Sequence, residues 1–187
     1  MKNFFIIIAI ILSFSVSAQD IEMFSFINQY RIIHNKKKLV ISEKLTQIAI
    51  ICNDNNATKD TLIHTKLSKS IATGEICTMV KSLPITKEIK EKFIKFIKYN
   101  FNLNYFEATN NAEIITYAKL LSIYSFDQSP HHKKILLSNI KNVGFNVICN
   151  NIEKSPSITK TISGKTYTFK KLIEYYKFYC FVTIDFN

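Results

Sequence analysis

The sequence predicts a single mixed α and β domain behind an N-terminal export leader. Three observations lead there. Through the first two thirds of the chain, apolar residues recur at helical spacing: Phe24, Ile27 and Tyr30, then Leu45, Ile48, Ala49 and Cys52, then Ile89, Phe93, Phe96 and Ile97. The last third changes character, with strand-like runs over residues 143–149 and 178–186. The chain has 187 residues, a length that suits one domain with a sizeable core, and neither a repeat nor a linker divides it.

The leader reads MKNFFIIIAIILSFSVSAQD. Lys2 supplies the positive start. Residues 4–14 are apolar but too short to span a bilayer comfortably, and Val16-Ser17-Ala18 offers small residues before polar Gln19 and Asp20. This pattern predicts a signal peptide over residues 1–18, cleaved near Ala18, and a mature chain of residues 19–187. With no cysteine at the cleavage point, a lipoprotein anchor is disfavoured. Nothing after Ala18 is apolar for long enough to cross a membrane. The expected destination is secreted or periplasmic, an oxidising compartment.

The elements follow in order. Residues 21–35 read as a helix, ended by Lys36-Lys37-Lys38. Ser42 is an expected N-cap, with Glu43 favourable in the first turn, and Asn53 to Asn56 should close that second helix. A loop carrying His64 precedes Gly74-Glu75-Ile76. Thr86 opens an amphipathic helix whose other face carries Lys87, Lys90, Glu91, Lys95 and Lys98. That face is either a solvated surface or a surface for anionic envelope lipids. Asparagine-rich residues 100–111 connect it to a helix over 113–126. Ser129-Pro130 starts a short helix through Leu137, with serine as cap and proline at the first position. Residues 154–165 hold Pro156 and Gly164 and read as a loop between the two strands.

Lys and Arg total 25 against 14 Asp and Glu, a formal net charge of +11. A basic exported protein can associate with an anionic envelope surface. The lysines are scattered, arginine occurs once at Arg31, and no nucleic-acid motif is present, so nucleic-acid binding is not expected. Four cysteines, Cys52, Cys77, Cys149 and Cys180, suggest disulfides in an exported chain and allow three connectivities. No pair has the close spacing of a zinc knuckle. Histidine is scarce, with only His34, His64, His131 and His132; sequence spacing alone joins none of them into a site.

A family resemblance supplies that join. Residues 26–57, FINQYRIIHNKKKLVISEKLTQIAIICNDNNA, are similar to the opening of CAP-superfamily (SCP-like) domains, with Asn28 and Arg31 on the first helix, then Leu39, then Leu45 and Ala49 on the second. His64 stands where that family has its first cleft histidine, and Gly74-Glu75-Ile76 resembles its "G-E-N-I" motif with the Asn replaced. Residues 126–147, FDQSPHHKKILLSNIKNVGFNV, resemble the bacterial form of the family's second motif through Ser129, Pro130, His132, Leu136 or Leu137, Val143 and Gly144, with Phe126 in the place of a tryptophan. Residues 84–111 form an extended helical segment relative to small members.

The resemblance implies an α+β fold, a three-layer α/β/α sandwich with a small antiparallel sheet. It implies a cleft of His64, Glu75 and His132, with Glu113 as the nearest candidate for a second acid. It implies that residues 143–149 and 178–186 pair, which brings Cys149 to Cys180 and leaves Cys52 for Cys77. His64 and His132 with a carboxylate can hold a divalent metal such as zinc with an open position. No nucleophile accompanies the cleft, because Ser129 is better explained as a cap. A non-enzymatic binding protein for a lipid, glycan or protein partner is therefore expected ahead of a metal-dependent or His/Glu-assisted hydrolase.

Overall fold

A computed structural model of the chain describes residues 18–64, 72–81, 87–104, 108, 110–162 and 165–187. The expected leader lies outside them, apart from Ala18, which opens the first helix. In chain order the elements are α1 (Ala18–Ile33), β1 (Val40–Ile41), α2 (Glu43–Lys59), β2 (Gly74–Lys81), α3 (Lys87–Phe101), α4 (Asn111–Gln128), α5 (Pro130–Leu136), β3 (Asn142–Ile162) and β4 (Lys165–Phe186). The fold is mixed α and β. Among the described residues five helices accompany one four-stranded sheet of order β1-β3-β4-β2. The sheet is mixed rather than purely antiparallel, because the two-residue β1 runs parallel to β3. The other pairings are antiparallel. Among the described residues, no helix is long and apolar enough to cross a membrane.

The expected helices form, and their caps explain their limits. Ser42 Oγ accepts the Leu45 amide at 3.5 Å and starts α2. That helix does not close at Asn53 to Asn56. It runs on to Lys59 and ends with Asp60 in the left-handed region at φ 48°. Tertiary bonds overrule the local preference of asparagine: Asn53 Nδ2 donates to the Asn146 backbone oxygen at 2.7 Å and to the Phe181 oxygen at 3.0 Å.

The stretch expected as a loop at 154–165 is instead part of a long hairpin. Residues 154–162 of β3 pair with β4, and the register shifts between Ser155 and Ser157. Pro156 sits at that irregularity, where the ladder does not need its missing N–H. The expected pairing of residues 143–149 with 178–186 is present, and Cys149 opposes Cys180 and is joined to it by a disulfide.

Alternation along the strands gives the sheet two faces of different chemistry. One carries Ile76, Val143, Phe145, Val182, Ile184 and Phe186, all buried with Met23, Ile27 and Tyr30 of α1, Phe93 and Ile97 of α3, and Leu120 and Ile123 of α4. This is the main core. Phe93 and Phe96 meet Tyr124 edge-on, with ring centroids 5.6 and 5.2 Å apart. Lys119 of α4, though buried, pairs with Glu22 of α1 at 2.7 Å.

The other face is covered by α2. Gly144 of β3 permits the approach: a Cβ there would lie 2.1 Å from the Leu45 carbonyl carbon and the Thr46 nitrogen. Asn28 and Arg31, one turn apart on α1, tie the pieces together. Asn28 accepts the Leu39 amide at 2.7 Å. Arg31, 1% exposed, donates to the carbonyls of Lys37, Leu136 and Ser138, which joins α1 to the loop before β1 and to the end of α5.

Gly144→Ala is expected to destabilise the protein by about 3 kcal/mol, the upper range for overpacking, because α2 backbone must move. Gly74→Ala should cost less than half of that, since its Cβ meets only the Ile135 side chain, at 2.9 Å. Urea unfolding of both variants checks the order.

Candidate functional site

The α2-facing side of the sheet is polar where the other side is greasy. Glu75 and Cys77 are two residues apart on β2 and so share a face. The β2–β4 register sets Asp185 opposite Glu75 and Thr183 opposite Cys77. Cys52 lies two helical turns beyond Leu45 on α2, and this places its sulfur 3.9 Å from that of Cys77. The disulfide expected between these two cysteines is not formed: at 3.9 Å the sulfurs stand well beyond the S–S bond length of about 2.05 Å, and both remain buried thiols in contact.

Each group is held by named partners. Thr183 donates its hydroxyl to Asn53 Oδ1 at 2.6 Å and stands 3.5 Å from Cys77 Sγ. Asn56 donates to Cys52 Sγ at 3.5 Å and accepts the Ile63 amide at 2.8 Å. The second bond fixes the loop that carries His64. The His64 ring, 59% exposed, reaches inward to the buried Glu75 carboxylate, Nδ1 to Oε1 2.7 Å. Its Nδ1 is also 3.8 Å from Cys77 Sγ.

The electrostatics follow from burial. Contact with Cys52, then loss of water, pushes the Cys77 thiol far up, so it stays protonated and is no nucleophile. Asp185 is fully buried, and neither of its oxygens receives a hydrogen bond from a nitrogen or hydroxyl donor. Burial first, then the neighbouring Glu75 and Cys52, push its carboxyl up to about 8. Asp185 therefore retains its proton at neutral pH.

His132 comes from α5. Ser129 Oγ accepts the His132 amide at 3.5 Å and caps that helix, the role expected of it. The His132 ring stands edge-on to buried Phe126, centroids 5.5 Å apart, so Phe126 orients the histidine. Burial, then the charges of His131 and His64, hold His132 below its usual value. His64 is thus near enough for its charge to act on His132. His131 is exposed, as expected.

Glu113 is not brought to this site. It sits in the first turn of α4, capped through Asn110, and the next residue, Ile114, packs on Val80. Val80 lies five residues along β2 from Glu75, roughly 17 Å at strand rise. The second acid at the site is Asp185, which sequence reasoning missed. The signal was available only through the strand register, since Asp185 is the lone acid in the apolar run of residues 178–186. No family model matches the chain, and no curated protein is detectably similar to it.

In metal-free protein, the raised Asp185 carboxyl binds a proton when folded that it has lost when unfolded, between about pH 4 and its folded value near 8. Stability attributable to it is complete below about pH 4 and falls as pH rises through that window. Thermal unfolding of Asp185→Asn between pH 5 and 8 should show a flatter fall than wild type. Equal slopes would contradict the assignment.

Proposed function

We propose that this protein is an exported, CAP-like binding protein that engages an anionic envelope lipid or glycan, or a protein partner, through the surface around His64, Glu75 and His132. The observation that carries the reading is the His64–Glu75 pair: a largely exposed imidazole held at 2.7 Å by a buried carboxylate. An exposed donor fixed by a buried acceptor is pre-organised for a polar ligand group.

Four further features support it. The hydrophobic core against one sheet face and α2 against the other agree with a three-layer α/β/α arrangement of the CAP type. The Asn28 and Arg31 contacts give physical content to the motif on which that resemblance rests. The leader pattern and the Cys149–Cys180 disulfide agree with export to a secreted or periplasmic location. A net charge of +11 favours anionic partners.

Binding is preferred to catalysis because the nearby nucleophile types are otherwise committed: Ser129 caps α5, and the Cys77 thiol is held protonated. Hydrolysis remains the second reading only through metal-bound water at His64 and His132.

Vesicles containing anionic lipid and a panel of envelope glycans are the probes. Wild type should bind at least one, and His64→Ala with His132→Ala should weaken that binding by about tenfold or more, a loss of about 1.4 kcal/mol. Equal binding by both proteins would contradict the reading. Turnover of ester, peptide or glycan substrates that disappears in the double variant would support the hydrolase instead.

A further inference from the structure

We propose that the seam between α2 and the sheet is a thiolate zinc site, formed by Cys52, Cys77 and Glu75 and closed by His64. The inference goes beyond ligand binding at the His64–His132 surface. It shares His64 and Glu75 with that surface but does not involve His132.

The donor geometry is the first argument. One atom from each of Cys52, Glu75 and Cys77 lies within 4.8 Å of the others. The sulfurs are 3.9 Å apart, Cys77 Sγ is 3.7 Å from Glu75 Oε1, and His64 Nδ1 is 3.8 Å from Cys77 Sγ. In tetrahedral zinc, bonds of about 2.3 Å to sulfur and about 2.0–2.1 Å to nitrogen or oxygen put ligand atoms roughly 3.3–3.8 Å apart. The three sulfur distances meet that spacing with shifts of a few tenths of an ångström. The 2.7 Å contact of His64 with Glu75 must open as the ion enters between them.

Second, Cys52 Sγ already faces a hydrogen-bond donor, the Asn56 amide at 3.5 Å. Such a contact stabilises thiolate and orients it toward a metal. Third, Asp185 is a fully buried carboxyl whose oxygens receive no hydrogen bond from a nitrogen or hydroxyl donor, directly across the strand pair from Glu75. A ligand shell around a cation gives such a group a role, as the partner that orients the Glu75 carboxylate.

The chemistry selects the ion. Two thiolates favour zinc over calcium or magnesium, which take oxygen shells. Binding displaces the two thiol protons to solvent, and no electron transfer is involved. Four protein ligands make the site closed and structural, pinning the His64 loop to α2 and β2.

The test uses chelator-treated, reduced full-length protein. Zinc titration against a chromophoric chelator, with native mass spectrometry, should find one tightly held ion per chain. Cobalt(II) loading should give sulfur-to-metal charge-transfer absorption. Cys77→Ser should lose that absorption and weaken zinc binding by about a hundredfold or more. His64→Gln, a change at an exposed ring that leaves the core intact, should weaken it by about tenfold. His132→Ala should leave zinc binding unchanged, even where it abolishes binding to vesicles or glycans. Cobalt spectra without charge transfer, zinc affinity indifferent to Cys77→Ser and His64→Gln, or a Cys52–Cys77 disulfide that forms equally fast with and without saturating zinc would each overturn the proposal.

Discussion

The antiparallel register of β2 on β4 is the constraint on which the rest of the molecule depends. Setting Glu75 opposite Asp185 also sets Ile76 opposite Ile184 and Cys77 opposite Thr183. A slip by one residue would turn Ile76 and Ile184 away from the main core and drive acids and a thiol into it. The burial of apolar side chains on one face thus enforces the polar cluster on the other. The groups at the site are held where they are by a hydrophobic pattern that does not touch them.

The two faces divide the work of the fold. Against α1, α3 and α4 the sheet presents aliphatic and aromatic residues, whose removal from water stabilises the domain. Against α2 it presents Glu75, Cys77, Thr183, Asp185 and a glycine. Buried polar groups cost free energy unless each finds a partner. Here most do: Thr183 with Asn53, Asn56 with the His64 loop, Glu75 with His64. Asp185 is an exception, retaining a proton rather than gaining a donor. A fold that keeps such a group in place, at a cost to stability, directs attention to the chemistry around it.

Much of this was legible in the residues. The helical stripes and the Ser42 and Ser129 caps follow from local rules of periodicity and capping, whereas the opposed Cys149 and Cys180 follow from the strand pairing that the resemblance implies. His64 and Glu75 were placed together by resemblance, and they meet at 2.7 Å. What escaped was non-local. The length of the β3–β4 hairpin was hidden because Pro156 reads as a loop signal until its place at a register shift is known. The extension of α2 depends on Asn53 bonding to strands more than ninety residues away in sequence. Asp185 became a site residue, and Glu113 did not, through strand register alone. Cys52 and Cys77 are far apart in sequence, so no short ligand motif marks the pair whose sulfurs touch.

The central claim is that strand register and the α2 contact at Gly144 build one thiol and carboxyl site behind the exposed histidine. X-ray absorption at the zinc edge of the zinc-loaded protein tests it most directly. The account predicts two sulfur neighbours at about 2.3 Å and two nitrogen or oxygen neighbours at about 2.0–2.1 Å. A shell of nitrogen and oxygen alone would contradict it.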